Sequence, residues 1–95
     1  MCTYETSNLE VTGSGKGPDP SQGPAGWFKL SRATVYFDHP VHAQAGHTLN
    51  IDFANPLLGP SARVAVELDP ASARALAGAI LEILDSAPAA LLSES

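Results

Sequence analysis

Two segments rich in β-branched and aromatic residues flank a connection within residues 34–53, and this stretch contains all three histidines of the chain. Both flanks suit a pleated, half-buried surface, so each predicts a strand. Pro40 lacks an N–H group and Gly46 is conformationally free, so the residues between the flanks do not continue a ladder. The stretch therefore predicts a β-hairpin whose connection, residues 38–46, is longer than the roughly two to five residues that are usual.

Side-chain parity divides this hairpin into two faces, because successive residues of a strand point to opposite sides of a sheet. The apolar face receives Ala33, Val35 and Phe37 from the first strand and Leu49, Ile51 and Phe53 from the second. The opposite face receives Thr34, Tyr36 and Asp38 together with Thr48, Asn50 and Asp52. We therefore expect His39 and His47, which continue the apolar register, at the end of the buried face, with His42 in the loop between them.

The histidines predict a metal site. Neutral imidazole is a good zinc ligand, and a thiolate or a carboxylate can complete such a site. We predict that His39, His42 and His47 bind one transition-metal ion, preferably zinc, with Cys2 as the fourth protein ligand and Asp38 as the alternative. Three protein ligands plus water would make a catalytic zinc site, whereas three histidines plus a cysteine would make a closed structural one. The simpler alternative is that all three histidines are ordinary rim or loop residues.

Two hypotheses without a metal stay open beside this one. In a metal-free enzyme, Asp38 would orient His39 or His42 as a general base, and Tyr36 or Asp52 would act as the acid. In a dimeric binding or accessory module, the polar face of the sheet would take a small-molecule ligand and the chain would carry out no chemistry of its own. The sequence does not name a reaction or a substrate.

Alternating residues predict two further strands, residues 8–12 and residues 63–68, and extend the first strand of the hairpin back to residue 27, so that it covers residues 27–37. Residues 13–26 are dominated by Gly and Pro and predict a loop. In the segment 27–37 the apolar parity changes near its middle, which predicts a β-bulge. We expect an α+β fold in which an antiparallel sheet of about four strands carries one C-terminal helix on one face.

The helix is predicted over residues 69–86. Asp69 can accept hydrogen bonds from first-turn N–H groups, and Pro70 is favourable at the first helical position. Apolar residues recur at helical spacing after this start and form one stripe. We expect Val64, Val66 and Leu68 of the last strand to pack against Leu76, Ile80 and Leu84 of the helix.

Length and charge limit the classes of function. The 95 residues predict a single domain, 1–95, with a small core. The net charge of −5 and the five scattered Lys and Arg residues argue against nucleic acid as a partner. No apolar run has the length of a membrane span or the form of a signal peptide, and a single cysteine fits a reducing compartment, so we expect a cytoplasmic protein with no membrane partner. The small core, together with the aromatic residues Trp27, Phe28 and Tyr36, suggests a homodimer.

Several segments of the chain together resemble a known family. They are MCTYET at the start, GSGKG, GWF, ATVYFDHPVHA, HTLNIDF and GPSARVAVEL. They are similar to a family of small uncharacterised bacterial proteins, a domain of unknown function frequent in actinobacteria. The resemblance covers nearly the whole chain and implies a compact single domain. It implies no activity and no catalytic residues.

Overall fold

The structure of the chain, a computed structural model, describes residues 5–39 and 46–93. Its strands are β1 Thr6–Lys16, β2 Trp27–Asp38, β3 Thr48–Ala54 and β4 Arg63–Leu68, and they are followed by the helices α1 Pro70–Ser86 and α2 Ala89–Leu92. Short 3-10 turns lie at Pro20–Gln22, Pro24–Gly26 and Pro56–Leu58. The four strands form one antiparallel sheet in chain order, so the predicted α+β class is confirmed.

The register of the sheet agrees with the two faces that parity predicts. Val35 lies opposite Ile51, and Ile51 lies opposite Val66, so apolar residues of three strands share one face. Thr34 lies opposite Asp52 on the other face. We call these two sides the apolar face and the polar face of the sheet.

The first strand is longer than the sequence pattern predicts. Residues 13–16 were expected in a loop, but they pair with Trp27–Leu30 as the second half of β1. The alternation of side chains carries no signal there, because glycines can hydrogen-bond in a ladder without a side chain. Gly15 also lies so close to Leu30 that a β-carbon on it would be 3.0 Å from the leucine side chain. A larger residue at this position would require the Leu30 side chain to shift.

The β-bulge that the change of parity predicts on β2 is not found there; the register shifts instead on β1, between Glu10 and Gly13, opposite the middle of β2. The extra residue redirects the side chains that follow it. Leu9, which alternation assigns to the interior, is half-exposed, whereas Val11 packs against the core.

The rest of the Gly/Pro-rich segment is closed by backbone contacts. The Gly17 N–H donates to the Gly26 carbonyl at 3.0 Å. Gly26 has a φ of +85°, and a β-carbon there would be 2.6 Å from the Gly17 oxygen, so only glycine fits without strain. The Gln22 side chain donates to Ser61 Oγ at 2.7 Å. This bond ties the segment to the connection between β3 and β4.

The buried apolar core lies at the end of the sheet that is opposite the histidines. Its buried members are Phe28, Leu30 and Ala62, and the partly buried Val11, Phe53 and Val64 pack against them. Phe28 therefore packs in the core of its own chain. It is not one of the exposed aromatic residues that the dimer prediction assumed. Trp27, its neighbour, is half-exposed.

Helix α1 begins as predicted but does not pack as predicted. Asp69 Oδ1 accepts the Ser72 N–H at 2.7 Å, and this bond holds the pKa of Asp69 below its usual value. The helix meets the apolar face only through its first turns, where Pro70, Ala73 and Ala77 lie around a shallow cavity beside Phe37 and Leu49.

The expected contacts of Leu76, Ile80 and Leu84 with β4 are wrong, because these three side chains are about half exposed. A single residue, Asp69, joins β4 to α1. A connection of one residue is too short for the chain to turn back, so α1 cannot run antiparallel to β4 along the sheet. The helix therefore leaves the sheet instead of lying along it.

Leu30 tests where the core lies. Leu30→Ala removes a side chain that is only 8% exposed, so we expect the free energy of unfolding to fall by about 2–5 kcal/mol in chemical denaturation. Leu57→Ala is the matched control, because Leu57 is 95% exposed and its truncation should change stability by less than about 0.5 kcal/mol. Equal losses in the two variants would contradict this assignment of the core.

Candidate functional site

The register of β2 and β3 brings two of the predicted ligands together. Asp38 is the last residue of β2 and lies opposite Thr48, the first residue of β3. The next residues outward are His39 and His47, whose ring centroids are 4.3 Å apart with planes inclined at 36°. Phe37 stacks on His47 at 5.5 Å and 13°. The three rings form a short stack at the end of the apolar face, which is where parity places His39 and His47.

The backbone of the hairpin orients the His39 ring. His39 Nδ1 is 3.2 Å from the Gly46 carbonyl oxygen. Because a carbonyl oxygen only accepts, Nδ1 carries the proton of the neutral ring and Nε2 carries the lone pair. A bond of this kind fixes the tautomer and the direction of the ring, as partners of metal-binding histidines commonly do.

Asp38 interacts with the backbone and not with an imidazole. Its Oδ1 accepts the N–H of His39 at 2.7 Å, which stabilises the chain where β2 ends. By register, Asp38 shares the polar face with Thr48, whereas the two rings continue the apolar face. The orientation of a histidine by the Asp38 carboxylate, which the enzyme hypothesis requires, is therefore not seen for His39.

The remaining predicted ligands, Cys2 and His42, lie outside the described residues. Within residues 5–39 and 46–93, no three His, Cys, Asp or Glu side chains converge closely enough to hold a metal ion. The described part of the chain thus contributes a pair of imidazoles, and the full set of ligands stays a prediction.

A second group of polar side chains lies on the polar face. Arg63 Nη2 donates to Asp52 Oδ1 at 2.8 Å, and the Tyr36 hydroxyl lies 3.4 Å from Asp52 Oδ2. Burial raises the pKa of Tyr36, and the negative charge of Asp52 raises it further, so the phenol stays protonated and donates. Tyr36 and Asp52 are on the face opposite His39. The structure therefore does not bring the predicted acids to His39, and the alternative base, His42, lies outside the described residues.

The polar face is less solvated at the histidine end than an open sheet would be. Thr48 and Asn50 are buried, and the Thr48 hydroxyl donates to Asn50 Oδ1 at 2.7 Å. Among the described residues, no buried side-chain polar atom lacks a hydrogen-bond partner. These polar groups are therefore part of a satisfied network.

A cleft opens at the other end of the polar face. It has a volume of about 460 Å³ and is lined by Arg32, Thr34, Asp52, Ala54, Pro56, Gly59, Pro60, Ala62 and Arg63. Arg32 and Arg63 flank Ala54 in the register of three neighbouring strands. The cleft thus carries two guanidinium groups, one of which is paired with Asp52.

The wall of this cleft is built by the connection between β3 and β4. Asn55 is buried, and its side chain donates to the Lys29 carbonyl at 3.0 Å and accepts the Leu57 N–H at 3.2 Å. These bonds hold the turn Pro56–Leu58 against the sheet edge. The sequence pattern does not predict this cleft, because the approach of Arg32 to Arg63 on either side of Ala54 depends on the register of β2, β3 and β4 together.

A comparison with protein families matched residues 1–93 to the family described as "Family of unknown function (DUF6295)". The chain belongs to this family. The match to DUF6295 confirms the resemblance that the sequence segments suggest, and it assigns no activity. Searches of curated proteins and of solved structures found no match. Among the described residues, no helix combines the length and the hydropathy needed to cross a membrane.

Proposed function

We propose that this member of DUF6295 is a small cytoplasmic metal-binding protein that holds one transition-metal ion, preferably zinc, at the histidine hairpin. One observation carries the proposal. His39 and His47 are stacked neighbours at the loop end of the β2–β3 hairpin, and His39 Nδ1 is held by the Gly46 carbonyl, which leaves the lone pair of the neutral ring on Nε2. Two imidazoles that are anchored on paired strands lose little entropy when they bind an ion.

The other ligands follow from chemistry and from the sequence. His42 lies between the two rings along the chain, and Cys2 supplies the only thiol. Imidazole and thiolate together suit zinc better than magnesium or calcium, which prefer oxygen ligands. Asp38 stays the alternative fourth ligand, since its carboxylate lies next to His39 and accepts the His39 N–H through Oδ1.

The metal proposal predicts the composition of the purified protein. Protein made without a histidine tag should contain about one zinc ion per chain by elemental analysis, as a single four-ligand site requires. His39→Ala combined with His47→Ala should contain almost none. Added zinc should also raise the melting temperature of the metal-free wild type, because a ligand that binds only the folded state stabilises it by mass action.

Glu10→Gln is the control, because it removes an exposed acidic side chain on β1, away from the hairpin. Its zinc content should equal that of the wild type. Equal zinc content in the wild type and the double histidine variant, or none in either after zinc supplementation, would reject the metal site.

The cleft on the polar face favours a second candidate function, a module that binds a small anionic molecule. Guanidinium groups recognise carboxylate and phosphate by paired hydrogen bonds. Arg32 lines one side of the cleft, and Arg63 lines the other, where Asp52 holds its side chain. Thr34 and the carboxylate of Asp52 add polar groups that can select a ligand with its own hydrogen-bond donors. A ligand in this cleft would require no metal.

The cleft predicts anion binding that depends on Arg63. Inorganic phosphate, titrated into labelled wild-type protein, should shift the backbone amide resonances of Ala54 and Gly59 in a saturable way. Arg63→Gln should abolish these shifts because it removes one guanidinium. Lys29→Gln removes the same charge from an exposed position of β2 outside the cleft and should bind as the wild type does. Identical titrations for the two variants would show that the effect is one of net charge and would reject the site.

A further inference from the structure

Both helices expose apolar side chains that helices of this kind normally bury. In the described part of the chain, seven such side chains on α1 and α2 are 45 to 68% exposed, namely Leu76, Ile80, Leu81, Ile83, Leu84, Leu91 and Leu92. On α1 they follow helical spacing and form one stripe with Ala73 and Ala77. Glu82 and Asp85 lie outside this stripe, and Arg74 lies at its edge, where it lines the cavity beside Phe37 and Leu49. Contiguous apolar surface of this kind marks an interaction site.

The sheet has an open apolar surface of its own. Its apolar face is formed by Val35, Phe37, Leu49, Ile51, Phe53, Val64, Val66 and Leu68, all of which are only partly buried. Helix α1 meets this face only at its first turns, beside Phe37 and Leu49. The chain thus exposes an apolar stripe on α1 and an apolar face on the sheet, and the stripe does not pack on that face.

The size of the exposed surface fits one partner. The chain exposes 7,023 Å², whereas a folded monomer of its 9.8 kDa mass exposes about 5,200 Å². Its radius of gyration is 15.1 Å, against about 12 Å for a compact domain of this length. The excess of about 1,800 Å² is within the range that each chain buries in an obligate homodimer, roughly 1,000–2,500 Å².

We propose that a second copy of this chain covers these surfaces, with α1 of each copy packed on the apolar face of the other copy's sheet. A helix on a sheet is the layer arrangement by which α+β domains bury such faces. A twofold axis buries the exposed surfaces of both copies at once, because the helix stripe of each copy packs on the sheet face of the other. The one-residue connection at Asp69, which directs α1 away from its own sheet, favours the exchange. The observations that favour the dimer do not rest on the metal site or on the anion cleft.

Sedimentation tests the dimer. At micromolar concentration the wild type should sediment with twice the chain mass of 9.8 kDa. Ile80→Glu places a charge in the centre of the stripe and should give a monomer. Ala75→Glu places the same charge on the exposed opposite side of α1 and should stay a dimer. A monomeric wild type across this range, or a monomer with both variants, would overturn the proposal.

A second measurement tests the arrangement within the dimer and does not depend on how the variants fold. In a mixture of isotope-labelled and unlabelled wild-type protein, contacts between copies can be detected selectively by filtered NOE spectra. Contacts between the methyl groups of Ile80 in one copy and those of Ile51 or Val66 in the other would support helix-on-sheet packing. Contacts between copies that join only helix to helix would overturn it.

Discussion

The pairing register of β2 and β3 is the constraint on which the other features of the molecule depend. Because side chains alternate along a strand, a slip of one residue would move every side chain of β3 to the opposite face. The observed register opposes Asp38 to Thr48 and Val35 to Ile51. It thereby makes His39 and His47 neighbours, separates them from Tyr36 and Asp52, and collects the apolar side chains on one side. The candidate metal site follows from this alignment, and the apolar face and the polar cleft follow from it together with the register of β3 and β4.

The two ends of the sheet are stabilised in different ways. At the end where β2 begins, Phe28, Leu30 and Ala62 form a buried apolar core. At the histidine end, the contacts among the described residues include a ring stack and a hydrogen-bonded pair, Thr48 and Asn50. Stability is therefore not uniform along the sheet. An ion bound by His39 and His47 would crosslink the hairpin at the end that is farther from the core, so metal binding and local stability are expected to be coupled.

Much of the fold can be predicted from local sequence signals. Alternation predicts β2, β3 and β4, parity predicts the two faces, and Asp69-Pro70 predicts where α1 begins. The misses have physical reasons. The glycines of β1 pair through their backbones and leave no side-chain pattern, so β1 is longer than predicted. The direction of α1 depends on a single connecting residue and on what covers the sheet, which periodicity does not encode.

The candidate sites were predictable to different degrees. His39 and His47 flank one hairpin loop, so parity predicts that both lie at the same end of the apolar face, and the register of β2 and β3 then makes them neighbours. The cleft with Arg32 and Arg63 was missed because it needs the register of three strands and a wall formed by the turn Pro56–Leu58. Placing the predicted strands β2, β3 and β4 side by side in antiparallel register would have put Arg32 and Arg63 on either side of Ala54 and so indicated the cleft.

The register can be measured directly from NOE contacts between side chains of neighbouring strands. We expect NOE contacts between the methyl groups of Val35 and Ile51 and between the methyl groups of Ile51 and Val66. We also expect a contact between the rings of His39 and His47. Val35 contacts to the side chain of Asn50 or Asp52 in place of Ile51 would show a slipped register. That result would contradict the division into two faces and, with it, both candidate sites.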